Sequence, residues 1–561
     1  MTAGRALRAL WLGALAAAVA CSGPAGPGHS PAGHGGTPVA RPAGPPPLFD
    51  DLGRFRRPVS TKVPPAQAYF DQGLRLIYAF NHAEAQRAFE EAARLDPACA
   101  ICHWGIALSL GPNYNSPADE ARDKGALAAI QAAQRLAGGG SPAERALIDA
   151  LARRHSGTGD ADRRTRAAAY ADAMRGVAAR FPEDTDAGTL FADALMNLRP
   201  WDLWTIDGQP EPGTLEAVAA LERVLARDAN HPGAAHLYIH AVEASPDPGR
   251  AAGAADRLAG LMPGAGHLVH MPSHIYFRVG RYADAHAVNV RAVEADRAYF
   301  KRQEAQGLYR MTYYPHNIDF IWHAAAMQGR RAETLRGARE LAASMPVEMV
   351  LEAPDMEGAT AAPLGALARF GRWAEILAEP APPAGLLYTA GVWRYARGLA
   401  LCATGRGAEA RRELEAIREL IGRVPAERTL GGFFKTTDML RLAADVLAGE
   451  IAGRSGDTGT GVRHLRSAVQ MQDRHWFTEP PPWYFPVRQA LGAVQLAGGR
   501  AAEAEAVYRE DLRRNPDNGW SLHGLARSLR AQAKDAEAAA VDARFLTAWA
   551  RADVVLTASR F

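Results

Sequence analysis

The stretch AYFDQGLRLIYAFNHAEAQRAFEEAARLDP, residues 68–97, decides the fold. Its apolar residues recur at helical spacing on either side of Asn81. Tyr69, Gly73, Ala85, Phe89, Ala92 and Pro97 are spaced so that small residues let two helices approach, aromatics fill the gap and a proline ends the second helix. The pattern returns downstream. Gly492, Ala504, Tyr508 and Pro516 repeat its register, Trp520, Gly524 and Ala536 begin another unit, and Tyr276, Gly280, Tyr282 and Ala285 fit in the middle.

These are the offsets of the tetratricopeptide repeat (TPR). Four or more signature positions coincide at separate places, so the expected fold is all-α: a TPR-like α-solenoid of antiparallel helical hairpins over residues 61–561, with C-terminal repeats at 484–550. Hairpins near Thr389–Ile421 and Thr436–Gln472 follow from apolar periodicity alone. Composition agrees, because Ala, Leu, Arg and Glu dominate outside a Pro/Gly-rich N-terminal part. The net charge of +3 argues against nucleic acid as a partner.

The N-terminus reads as an address. Arg5 and Arg8 precede an apolar run, Leu10 to Val19, too short for an ordinary membrane span. Ala18-Val19-Ala20-Cys21 resembles a bacterial lipobox, making 1–20 a signal peptide and Cys21 the lipidation site. A plain secretory signal is the alternative. Ser22 after the cysteine resembles lipoproteins sorted to the outer membrane, so the expected location is the cell envelope, on the periplasmic face of that membrane, anchored by acyl chains. Residues 21–60 are assigned to a Pro/Gly-rich disordered tether, aperiodic from Ser22 to about Leu48.

Nine of the seventeen histidines fall between Asn230 and His323. His236, His240 and Glu243 share one helical face, as do His267, His270 and His274, and His316, Asp319 and His323. Imidazole with carboxylate suits Zn, Fe, Mn or Cu. The expected ligands are His236, His240, His270 and His274, with His267, His316 and Asp319 as further candidates. Glu243 is a candidate ligand, orienting partner or general base, and Tyr276 a candidate catalytic donor. Pro272 lies inside the second helix, removes its bond to the Leu268 carbonyl and should kink it. His231, His286 and His323 also read as solvated residues.

Two aromatic-rich loops interrupt the repeats, Leu198–Thr214 and Thr478–Pro486. They offer Trp201, Asp202, Trp483 and Tyr484 as ligand-binding residues, with Tyr314 from the third histidine helix. Cys99-Ala100-Ile101-Cys102-His103 has the form of a c-type haem attachment motif. It sits where repeat packing residues belong, and a haem would displace the neighbouring hairpin. A Cys99–Cys102 disulfide or two buried thiols is the expected state.

The segments at 73–82, 110–115, 236–243, 270–276, 314–318 and 482–488 (GLRLIYAFNH, LGPNYN, HLYIHAVE, HMPSHIY, YPHNI and PWYFPVR) together resemble bacterial TPR lipoproteins of unassigned function. More distantly, the histidine helices resemble animal tetratricopeptide repeat protein 38. The resemblance covers nearly the whole mature chain and implies the fold without a reaction. Members of that group often carry His where this chain has Asp319, which makes Asp319 either an alternative ligand or a mark that the position is peripheral. No Gly-rich phosphate loop, Gly-x-Ser-x-Gly elbow or second apolar span is found, which argues against a nucleotide-driven motor, an α/β-hydrolase and a channel. The primary expectation is an exported interaction scaffold that binds a peptide or envelope protein and carries a metal or ligand site on its concave face. The alternatives are an oxidative or hydrolytic metalloenzyme on the same solenoid, and a protein that handles metal or haem.

Overall fold

A computed structural model describes residues 44–117, 119–157, 162–303, 309–475 and 477–561. Among them helix follows helix from Pro64 to Ala548, interrupted by a single antiparallel β-hairpin that pairs Thr429–Leu430 with Phe434–Lys435. Successive helices pack pairwise, as Pro64–Tyr78 does on His82–Leu95 and Gly519–Arg530 on Asp535–Ala548. The architecture is an all-α helical-repeat array.

The spacing rule read from residues 68–97 has a direct physical cause. A methyl group on Gly73 or on Gly105 would overlap the ring of Phe89. Phe89 is therefore held between its own hairpin and the first helix of the next. Tyr508 is clamped the same way by Gly492 and Gly524. Both rings are fully buried. Each clamp lets two backbones approach to the thickness of one aromatic ring and ties neighbouring repeats into one core.

Two features depart from a simple open solenoid. Residues Phe49 to Arg57, expected in the tether, pack on the array instead. Phe49 and Leu52 are buried, the Gly264 N–H donates to the Asp51 carbonyl (2.8 Å), and Arg57 pairs with Asp184 (2.7 Å) and Asp186 (2.9 Å). The expected signal peptide, Cys21 and the tether up to residue 43 lie outside the described residues. The C-terminal repeats, in turn, fold back on the middle of the chain. The Trp520 indole N–H donates to the Ala326 carbonyl (2.8 Å), the Arg369 guanidinium lies 3.6 Å over the Trp520 ring, and the Asp553 carboxylate accepts from the Arg331 (2.7 Å) and Ala332 (2.9 Å) amides. The array thus closes round an interior space.

Cys99 and Cys102 are joined by a disulfide at the start of the helix Ala100–Leu110, and Cys102 is fully buried. Sulfur atoms bonded to each other are not free to form haem thioethers.

Gly105→Ala is expected to destabilise the fold by about 1–3 kcal/mol through overpacking of Phe89. Gly176 lies in the helix Arg163–Arg180 with open space where a Cβ would go. Gly176→Ala should therefore stabilise by about 0.5–1 kcal/mol. Denaturant melts of both variants check the opposite signs.

Candidate metal centre

Three helices carry the histidines. Pro232–Val242 begins with proline at its first turn and is capped by His231, whose Nδ1 accepts from the Ala234 amide (3.1 Å). His231 is fully buried and its Nε2 lies 3.3 Å from Asp186 Oδ1, so it is a helix cap rather than a solvated residue. The second helix is broken as Pro272 dictates, into Gly266–His270 and Pro272–Arg278 with Met271 between them. The third runs from Tyr314 to Met327 after a π-helical turn, Tyr309–Tyr313.

These elements bring six imidazoles together. His236, His240 and His267 have ligand atoms within 4.8 Å of one another, as do His270, His274 and His316. A third set, Glu243, His274 and Glu479, shares His274 with the second. All but the half-buried His316 are almost completely shielded from solvent.

The tautomers follow from the partners. His236 Nδ1 lies 2.6 Å from the Tyr78 carbonyl oxygen, which can only accept, so Nδ1 carries the proton. His270 Nδ1 lies 2.6 Å from Asn289 Oδ1. The Asn289 amide donates to the Ala285 carbonyl (2.7 Å), which fixes its oxygen toward the histidine. His240 Nδ1 faces Glu243 Oε1 at 2.8 Å, and His274 Nδ1 faces Glu243 Oε2 at 2.5 Å. His236, His240 and His270 are thus pinned at Nδ1 by hydrogen bonds and His274 by its ion-pair contact with Glu243, which turns Nε2 of all four toward the shared space. The Nε2 atoms of His236 and His240, and both ring nitrogens of His267, are buried with no hydrogen-bond partner. The Nε2 atoms of His270 and His274 face each other at 2.9 Å.

Electrostatics keeps these lone pairs free. Burial, reinforced by neighbouring imidazoles, pushes His236, His267 and His270 well below the usual histidine range. Burial brings His316 down to about 3, and it lowers His240 against the opposing pull of Glu243. Burial alone would raise Glu243, but His274 and His240 beside it more than reverse this and hold it at about 2. It is an anion that accepts from His240 and lies in ion-pair contact with His274, which makes it a positioning residue for both rings.

The cluster floors a cavity of about 1900 Å³. His240, His267, His274 and His316 line it, while His236 and His270 stand behind them. Trp201, held at a left-handed φ of 60°, lines the wall 5.7 Å from His240 and 6.1 Å from Phe433 of the β-hairpin. Asp202, Trp483 and Tyr484 also line it. Trp204 instead anchors its loop, its indole N–H donating to the Ala241 carbonyl (2.8 Å).

Two expected site residues are placed elsewhere, and a third lines the cavity without joining a ligand set. Tyr276 points away from the cavity, its hydroxyl donating to Asp256 (2.8 Å) and its ring under Arg281. Tyr314 accepts from Arg297 (3.2 Å) and packs on Phe300; its neighbour Tyr313 faces the site, 4.2 Å from His267. One residue of helical phase separates the two. Asp319 lines the cavity but is held by its own helix, accepting from the Trp322 indole (2.7 Å) with His323 Nδ1 at 3.1 Å, and it joins no ligand set.

Other contributors carried no sequence signal that singled them out. Asn289 and the Tyr78 carbonyl act through single bonds. Phe80, at a left-handed φ of 54°, puts its ring 4.3 Å from His236. Glu479 lay inside a loop marked by its aromatics. It is buried, neither oxygen has a hydrogen-bond partner, and Oε2 lies 3.8 Å from His274 Nδ1. Burial raises its pKa well above the carboxylate range.

The sequence matches no protein-family model and no curated protein. Among solved structures it is similar to the human IFIT1 dimer with m7Gppp-AAAA at 12% identity, covering 87% of this chain and 91% of that one, with a TM-score of 0.33. The TPR domain of P58(IPK) aligns at 13% identity over 84% and 98%, TM-score 0.20. The Cut9–Hcn1 hetero-tetramer of APC/C aligns at 14% over 86% and 87%, TM-score 0.27. At such scores these likenesses carry no functional argument, and the site is read from its own chemistry.

One buried carboxyl supports the second helix from below. Asp296 accepts from the Tyr309 hydroxyl (2.9 Å) and the Asn317 amide (2.8 Å), and Tyr309 in turn accepts from the His267 N–H (3.1 Å). Burial, against those two bonds, raises Asp296 to about 7. A carboxyl raised on folding contributes stability that is complete below its unfolded pKa near 4 and is lost as pH rises through 7. Asp296→Asn should therefore flatten the decline in stability between pH 5 and 8, by about 2–3 kcal/mol. Urea titrations of both proteins across that range provide the check.

Proposed function

We propose that this chain is a metalloprotein whose histidine centre is the reactive floor of its cavity, acting as a metal-dependent enzyme on an apolar or aromatic small molecule. One observation carries the reading. Nδ1 is pinned on four imidazoles by fixed acceptors, and the Nε2 atoms so freed gather at one place beside an open cavity. A docking groove has no use for buried lone pairs. Each unpaired buried nitrogen costs about 1–3 kcal/mol, so several together are a large liability that a bound ion would remove. The donor set, neutral imidazoles with a carboxylate beside them, suits Zn, Cu or Fe. The expectation of a docking scaffold therefore gives way here to a scaffold that encloses a centre.

The cavity supports the rest of the proposal. Its aromatic wall of Trp201, Tyr313, Tyr388, Phe433 and Trp483 favours an apolar ligand. A metal held by His236, His240 and His267 or by His270, His274 and His316 would supply Lewis-acid or redox chemistry to a ligand in the cavity. Glu479 lines the same space and is the group placed to hold or move a proton there. Location belongs to the proposal too. Export is supported by the Cys99–Cys102 disulfide, which suits an oxidising compartment, and tethering through Cys21 by the lipobox-like sequence before it. No described helix is long and apolar enough to cross a membrane.

Elemental analysis of protein purified without a polyhistidine tag is expected to find stoichiometric Zn, Cu or Fe. His236→Ala/His240→Ala should lower the metal content while retaining the helical circular-dichroism spectrum. Wild-type protein that stays metal-free after incubation with each ion, with no change in melting temperature, would sink the proposal.

A further inference from the structure

We infer that the centre is built for two metal ions side by side, one in His236, His240 and His267 and the other in His270, His274 and His316. This rests on the metal-centre reading and adds its nuclearity.

The ligand atoms separate the six histidines into two threes, the atoms of each three lying within 4.8 Å of one another. In the second triad the ring centroids are 4.8, 4.8 and 5.6 Å apart. In the first they are 5.0, 4.9 and 6.4 Å apart, so His236 is the ring that both His240 and His267 approach.

The two triads are built alike. Each has one imidazole behind, His236 or His270, and two that face the cavity. Each is walled by one phenyl ring. Phe80 lies 4.3 Å from His236 and 5.7 Å from His267, and Phe320 lies 4.9, 5.0 and 5.2 Å from His270, His274 and His316. They also touch, with His240 5.7 Å from His274 and His267 5.9 Å from His270.

Glu243 joins them. One of its oxygens orients His240 of the first triad and the other orients His274 of the second. This settles how His274 is used: Nδ1 is turned to Glu243, so Nε2 belongs to the second triad rather than to the set with Glu479. Two three-imidazole ions with open faces on one cavity can hold a small bridging ligand, such as hydroxide or dioxygen, between them.

Metal-free full-length protein titrated with Cu(II) should take up two equivalents per chain. Its electron paramagnetic resonance signal should fall far below two independent spins, because adjacent ions couple. His267→Ala and His316→Ala should each bind one equivalent and show the ordinary signal of a lone Cu(II). One equivalent in the wild type, or two with full uncoupled intensity, overturns the pair but leaves the metal centre standing. Loss of both ions in a folded single variant also overturns it, since it means one shared site. No uptake of Cu(II), Zn(II) or Fe(II) overturns the underlying proposal as well. If a variant unfolds, the uptake and spin intensity of the wild type decide the question alone.

Discussion

The carboxylate of Glu243 lies in a closed interior with an imidazole on each oxygen, and much of the site's geometry depends on that sharing. A buried anion is costly unless its charge is met. Here His240 and His274 meet it from two helices separated by the intervening helix Ala252–Leu261. The contact fixes both rings, their tautomers and the spacing between those helices. The backbone carbonyl of Tyr78 and the amide of Asn289 do the same for the two imidazoles behind. None of these partners reaches the cavity, yet together they determine where the nitrogen lone pairs point.

The repeat scaffold explains why such an arrangement can exist. Helices clamped through Phe89 and Tyr508 hold their backbones at distances that a single methyl would change. Side chains on facing helices then inherit fixed positions. His270 and His274, one helical turn apart, bring their Nε2 atoms within 2.9 Å of each other across the break at Pro272.

The fold was largely legible in the sequence because glycine and aromatic positions at fixed offsets report a packing constraint directly. The ligand candidates were legible because a 3.6-residue period shows which side chains share a face. Convergence was another matter. His316 meets the cluster while Asp319 and His323 on the same stripe do not, since a stripe is longer than the ion it would serve. Tyr313 rather than Tyr314 faces the site because it stands three residues before His316, on the same helical face, while Tyr314 stands two before it and turns away. Tyr276 holds Asp256 on the far side of its own helix. Glu479 belongs to another part of the chain, and only the closing of the array brings it beside His274. The folding back of the C-terminal repeats rests on contacts such as Trp520 with Ala326, for which no local period exists.

The walls of the cavity are drawn from residues 115 to 484, whereas all six histidines lie before residue 317. The imidazoles can therefore gather while the space above them is still an open bowl. The segment bearing Glu479, Trp483 and Tyr484 is the last part of the chain to line that space. A chain cut short before it would keep its cluster of nitrogens and lose that wall, leaving the nitrogens open to any solute.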